Sequence, residues 1–151
     1  MSISDMTNRL LAFNDKQCGR GATPEDIAAA ERILGVSFTE SYRHFLSDFG
    51  WGRFSHQELY GLGSDVPSYA DLIRNTLVER SEMEPSLPSH LIPVMNDGAG
   101  NHYCLDTAIV KNGENPVVFW DHEQPKNQNP VQVATTFDSW LLDLLAELAS
   151  A

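Results

Sequence analysis

Residues 91–121 read LIPVMNDGAGNHYCLDTAIVKNGENPVVFWD, and the fold turns on this stretch. Residues 91–95 form a short apolar run, which predicts a strand. Asn96-Asp97-Gly98-Ala99-Gly100-Asn101 follows with residues that tolerate positive φ, so the chain reverses. Residues 102–109 read as a second strand, and Asn112-Gly113 is the strongest short hairpin signal in the chain. Residues 116–121 make a third strand, with Val117 and Phe119 on one face and Val118 and Trp120 on the other. Apolar residues on both faces predict a central strand covered on each side. Three such strands in succession form an antiparallel meander.

Helical periods flank the meander. Ile3, Met6, Leu10 and Phe13 share one stripe of an N-terminal helix, which Gly19-Arg20-Gly21-Ala22 ends. Thr23-Pro24-Glu25-Asp26 is a helix start, with a threonine cap, proline in the first turn and two acids at the positive end. Ile27, Ala30 and Leu34 line that helix, and Gly35 suits its C-terminal cap. Phe38, Tyr42, Phe45, Leu46 and Phe49 line the next one, which Gly50 stops. These two helices should pack as a hairpin. Residues 57–60 are a short strand candidate, and Pro67-Ser68 opens a helix carrying Tyr69, Leu72, Ile73 and Leu77. A polar loop over 123–130 leads to a last helix near Thr136. Phe137, Trp140, Leu141, Leu144, Leu145 and Leu148 form its apolar stripe. Helices at both ends of a central antiparallel sheet define an α+β fold, and no repeat or linker divides residues 1–151 into more than one domain.

The chain has 151 residues, 42% hydrophobic and 21% charged, a balance that supports a packed core. Ten Lys and Arg stand against 21 Asp and Glu, a net charge of −11. Such a field repels phosphate backbones and anionic lipid and draws in basic partners. Nucleic acid and membrane are therefore disfavoured as partners. Two cysteines, Cys18 and Cys104, are too few for a disulfide scaffold. The start, Met1-Ser2-Ile3-Ser4-Asp5, lacks the basic and apolar regions of a signal peptide, so a cytoplasmic location is expected.

No constellation for catalysis stands out. Asp97-Gly98-Ala99-Gly100-Asn101 is followed by a strand and has no lysine near it, so it reads as a turn and not as a phosphate loop. None of the five histidines shows the helical pairing of a zinc protease. His102 and Cys104 fall on one face of a strand, with His122 approaching from the paired strand, an incomplete ligand set, so no metal or cofactor is expected. Gly61-Leu62-Gly63-Ser64-Asp65 is not a nucleophile elbow. Asp106 and Asp121 could meet across a hairpin as an acid/base pair, or simply be solvated strand ends.

Other residues follow a known order. Ile33-Leu34-Gly35-Val36, then Tyr42, Phe45-Leu46 and Gly50, resemble the helical opening of the SUKH superfamily, Smi/Knr branch. Leu59-Tyr60-Gly61-Leu62 resembles its next short motif. Leu91-Ile92-Pro93-Val94, Asp97-Gly98-Ala99-Gly100-Asn101 and Tyr103-Cys104-Leu105-Asp106 resemble its central signature. Val117-Val118-Phe119-Trp120-Asp121-His122 and Phe137-Asp138-Ser139-Trp140-Leu141 close the series, so the resemblance spans roughly residues 23–145. Two places depart from the pattern. Ser37-Phe38 stands where the family has Leu-Pro, and Phe49-Gly50-Trp51-Gly52 replaces an Asn-Gly-Gly turn. The resemblance implies a non-enzymatic domain common among bacterial immunity proteins, which neutralise polymorphic or contact-dependent toxins, nucleases among them. Fungal members are interaction scaffolds linked to cell-wall signalling and usually carry long disordered arms. An immunity protein with a basic toxin as partner is therefore the expectation, a scaffold is the alternative, and a small hydrolase comes last.

The partner-binding candidates are an aromatic anchor with an acidic surround. They are Trp51 and Tyr60 with Asp65, Glu82, Glu84, Asp121 and Glu123. Trp51, flanked by glycines after a helix stop, reads either as a partly exposed anchor or as a lid closing the helix end over the core. Glu79 belongs with the acids that would form one patch with these loops.

Overall fold

Seven short strands follow one another across a single antiparallel sheet in chain order. They are β1 Lys16–Cys18, β2 Gly52–Phe54, β3 Gln57–Leu59, β4 Leu91–Asn96, β5 His102–Asp106, β6 Val117–Trp120 and β7 Val131–Ala134. The helices are α1 Ile3–Ala12, α2 Pro24–Leu34, α3 Glu40–Asp48, α4 Leu72–Ser81 and α5 Phe137–Ser150. This computed structural model describes residues 3–150, so Met1 and Ser2 of the N-terminal segment read above lie outside the described residues. The architecture is the expected α+β arrangement of a central antiparallel sheet with helices packed on it.

The predicted meander is β4–β5–β6, with every residue of β4 from Leu91 to Met95 buried. The second strand ends at Asp106 and not at 109, because the Asp106 carboxylate accepts the Ala108 N–H at 3.1 Å and turns the chain out of register. Asn112-Gly113 forms its turn at the tip of the connection that follows. Both φ angles are positive, 54° and 76°, as a type I′ turn requires, and Lys111 and Glu114 bridge beneath it. The turn at 96–101 is tied by Asp97, whose Oδ1 accepts the N–H groups of Ala99 at 2.8 Å and Asn101 at 3.1 Å. Those donors are consumed internally, which is what a hairpin needs and a phosphate site cannot have.

The helix signals operate as read, with one shift. Thr23 and Asp26 cap each other reciprocally at the start of α2, and Gly35 ends it at φ 73°. The helix expected to open at Pro67-Ser68 makes only a 3-10 turn at Ser68–Ala70. The true cap is Asp71, whose carboxylate accepts Arg74 N–H at 3.2 Å. In α3 the Thr39 side chain makes no capping bond. Glu114, delivered by the Asn112-Gly113 turn, takes over: its carboxylate accepts Ser41 N–H at 3.0 Å and Ser41 Oγ–H at 2.7 Å. A hairpin 73 residues downstream thus supplies the anion that the helix N-terminus favours.

The two faces of the sheet carry different cores. The larger one joins Met6, Leu10, Leu34, Tyr42, Phe45, Phe137 and Leu141 from the helices to Ile92, Val94, Leu105 and Val117. The smaller one, on the opposite face, holds Leu87, Leu91, Cys104, Val118 and Trp120. The alternation in β6 therefore divides as expected, with Val117 on the helix side and Val118 and Trp120 on the other. Residues after α4 close the smaller core, with Leu87 N–H donating to the Glu79 carbonyl at 2.9 Å.

Candidate partner-binding surface

Trp51 is a lid. It is 4% exposed, lies beneath Gly19, and donates its indole N–H to Asp65 Oδ1 at 3.2 Å. A Cβ on Gly19 would sit 2.5 Å from the indole, so ring and backbone are already in contact. Of the two readings of Trp51, the buried one holds, because Gly50 at φ 79° turns the chain inward at the end of α3. Asp65 is committed in the same way, since its Oδ2 accepts Arg20 N–H at 3.1 Å. Tyr60 is also buried, at 6% exposure. Its carbonyl accepts the Tyr42 hydroxyl at 3.0 Å, and its own hydroxyl lies 3.4 Å from His102 Nε2. Neither aromatic candidate presents its ring to a partner.

The acidic candidates divide. Glu82 and Glu84 are exposed after α4, and Glu123 is exposed after β6. Asp121 is half-buried and ties its loop, accepting Glu123 N–H at 2.9 Å while Gln128 bonds its backbone on both sides. Glu79 points inward, with Oε1 3.7 Å from His102 Nδ1 and its side chain 13% exposed.

Buried polar groups gather on the small-core side of β5. His102 is 2% exposed, and burial drives its pKa down to about 4 against the opposing pull of Asp97. Burial likewise lifts the Glu79 carboxyl above its usual value, with His122 opposing. Cys104 is fully buried, so desolvation pushes its thiol up and the thiolate is disfavoured. His122 is held apart by Asn101, whose Oδ1 is 2.7 Å from His122 Nδ1. Among the described residues no three His, Cys, Asp or Glu side chains are placed to hold a metal ion. Asp106 and Asp121 do not pair. In the β5–β6 register His102 faces Trp120 and Leu105 faces Val117, so the two aspartates sit at opposite ends of the hairpin.

With this geometry in place, a family model described as SUKH_6, SMI1-KNR4 cell-wall, matches residues 24–141. The chain belongs to the SUKH superfamily. The motifs of this SUKH domain have a physical rationale in the structure. Gly61 of the Leu59-Tyr60-Gly61-Leu62 motif lies on the Gly50 carbonyl so closely that a Cβ would overlap it, and Leu62 N–H donates to that same carbonyl at 2.8 Å. Gly61 N–H donates to Ala70 and its carbonyl accepts Leu72 N–H, which ties the motif to the start of α4.

The SUKH domain also assembles a surface that no local motif announces. A groove of about 320 Å³ opens between α5 and the hairpin ends, lined among others by Met95, Asp97, Tyr103, Val133, Trp140, Asp143 and Glu147. Tyr103 packs 5.5 Å from Trp140 and 5.3 Å from Phe119, centroid to centroid. Asp143 and Glu147 occur one turn apart on α5 with both side chains exposed. That spacing was the available signal, and on an otherwise apolar helix it reads as ordinary solvated surface. Among the described residues no helix is long and apolar enough to cross a membrane.

Proposed function

We propose that this SUKH domain is an immunity protein that binds a cognate toxin domain one-to-one and blocks it by occlusion, with no bond made or broken. The family match over residues 24–141 carries the reading. The net charge of −11 supports a basic partner, since opposite fields speed encounter and suppress wrong pairings. Glu82, Glu84, Asp121 and Glu123 remain the candidate rim. The test is co-expression with the product of the reading frame immediately upstream. Rescue of growth together with a 1:1 complex is expected, and a toxic product that is neither bound nor neutralised would overturn the reading for that pair. The cell-wall description of the matched family favours one alternative, an interaction scaffold. It predicts several moderate-affinity partners in a whole-lysate pulldown and no rescue.

A further inference from the structure

The groove beside α5 combines three properties that suit one kind of occupant. Its floor is aromatic and apolar, with half-buried Tyr103 packed against the Trp140 ring, which like Met95 is itself buried. Its walls are acidic on both sides. Asp97 stands on the β4–β5 turn, and Asp143 and Glu147 stand on α5. None of the lining residues is basic, and neither Asp143 nor Glu147 makes an ion pair among the described residues. Val133 of β7 lines the groove, and Val131 and Val133 are 66% and 44% exposed. An exposed apolar strip on an edge strand without charges is unusual for a surface meant only for water.

We infer that this groove takes an arginine-bearing segment of the partner protein, its guanidinium laid on Tyr103 between the carboxylates of Asp97, Asp143 and Glu147. The inference rests on the immunity reading for the identity of the partner, and on the groove alone for its chemistry. A planar guanidinium satisfies both halves of the site, stacking on aromatic faces while its N–H groups reach carboxylates. Lysine supplies the charge without the plane. A second copy of this chain is a poor occupant, since residues 101–151 hold seven acidic and two basic side chains and would set like charges together.

The test is a titration of ¹⁵N-labelled protein with the capped peptide Gly-Arg-Val-Arg-Gly, with lysine and glutamate counterparts. Shifts are expected at the Trp140 indole N–H and at amides of Asp97, Tyr103 and Asp143, strongest for the arginine peptide and absent for the glutamate one. Asp143→Asn with Glu147→Gln should weaken binding at least tenfold while leaving the thermal midpoint unchanged, since both side chains are exposed. No shift at millimolar peptide, equal shifts with the glutamate peptide, or shifts that follow protein concentration alone would overturn the inference. The last of these would mean that a second copy occupies the groove. Asp143→Lys with Glu147→Lys then separates this inference from the immunity reading in the co-expression assay. If wild type and variant rescue equally, the groove is not the interface and the function stands. If wild type fails to rescue, the function falls and the peptide titration alone decides the groove.

Discussion

Glu114 shows how one side chain can hold two distant elements. Its burial lifts its pKa, the two bonds from Ser41 oppose that, and Asp138 and Glu40 add to the rise. The carboxylate still serves because the start of α3 has no other cap. Glu114→Ala should cost about 2–3 kcal/mol in urea unfolding, since it strands a buried Ser41 N–H and hydroxyl. Glu114→Gln should cost less, because one acceptor remains. His102 carries a pH dependence. Its pKa of about 4 lies below the ordinary 6.5, so the unfolded chain binds the proton more readily. Stability is then held above pH 6.5 and lost as pH falls toward 4, by about 3 kcal/mol across that window. Glu79 and Glu114, both raised by burial, have the opposite sign, gaining stability at low pH that is lost as pH rises through their folded values. A His102→Asn variant leaves both glutamates in place, so its shallower slope of unfolding free energy between pH 6.5 and 4 isolates the histidine.

Among elements, the contact between the α3–β2 turn and the strand-to-helix passage at 60–63 is the least tolerant. Gly61 has no room for a side chain against the Gly50 carbonyl, and both neighbouring backbones are committed to hydrogen bonds. Gly61→Ala should therefore destabilise the domain by on the order of 3 kcal/mol or more, seen as a lowered urea midpoint with an unchanged slope. Gly98 offers a control, since its added Cβ would meet nothing within 4 Å and the cost there comes only from φ 91°. Elements with a full period were legible in the sequence. α2 announces itself through Thr23, Pro24 and Gly35, and α5 through six apolar residues on one stripe. β1, β2 and β7 carry no signal of their own strong enough to announce them, and each is held by its neighbour's register.

For the molecule as a whole, charge sets the expectation. A chain at −11 meeting a basic partner should associate quickly at low salt, with the on-rate falling about tenfold or more between 50 and 500 mM NaCl. Reversing Asp121 and Glu123 to lysine should slow association and flatten that dependence in stopped-flow measurements. Unchanged kinetics would take those two residues out of the interface. Sequence by itself determined the α+β class, the meander, the caps of α2, the family resemblance and the sign of the field. These follow from local periods, turn chemistry and composition, which need no knowledge of which elements touch. Only the tertiary structure decided that Trp51 and Tyr60 face inward, that Asp106 and Asp121 stand at opposite ends of a hairpin, and that Asp97, Asp143 and Glu147 share one groove. Burial and convergence depend on residues from separate elements of the chain, and no local pattern encodes which of two polar or aromatic side chains the rest of the chain will cover.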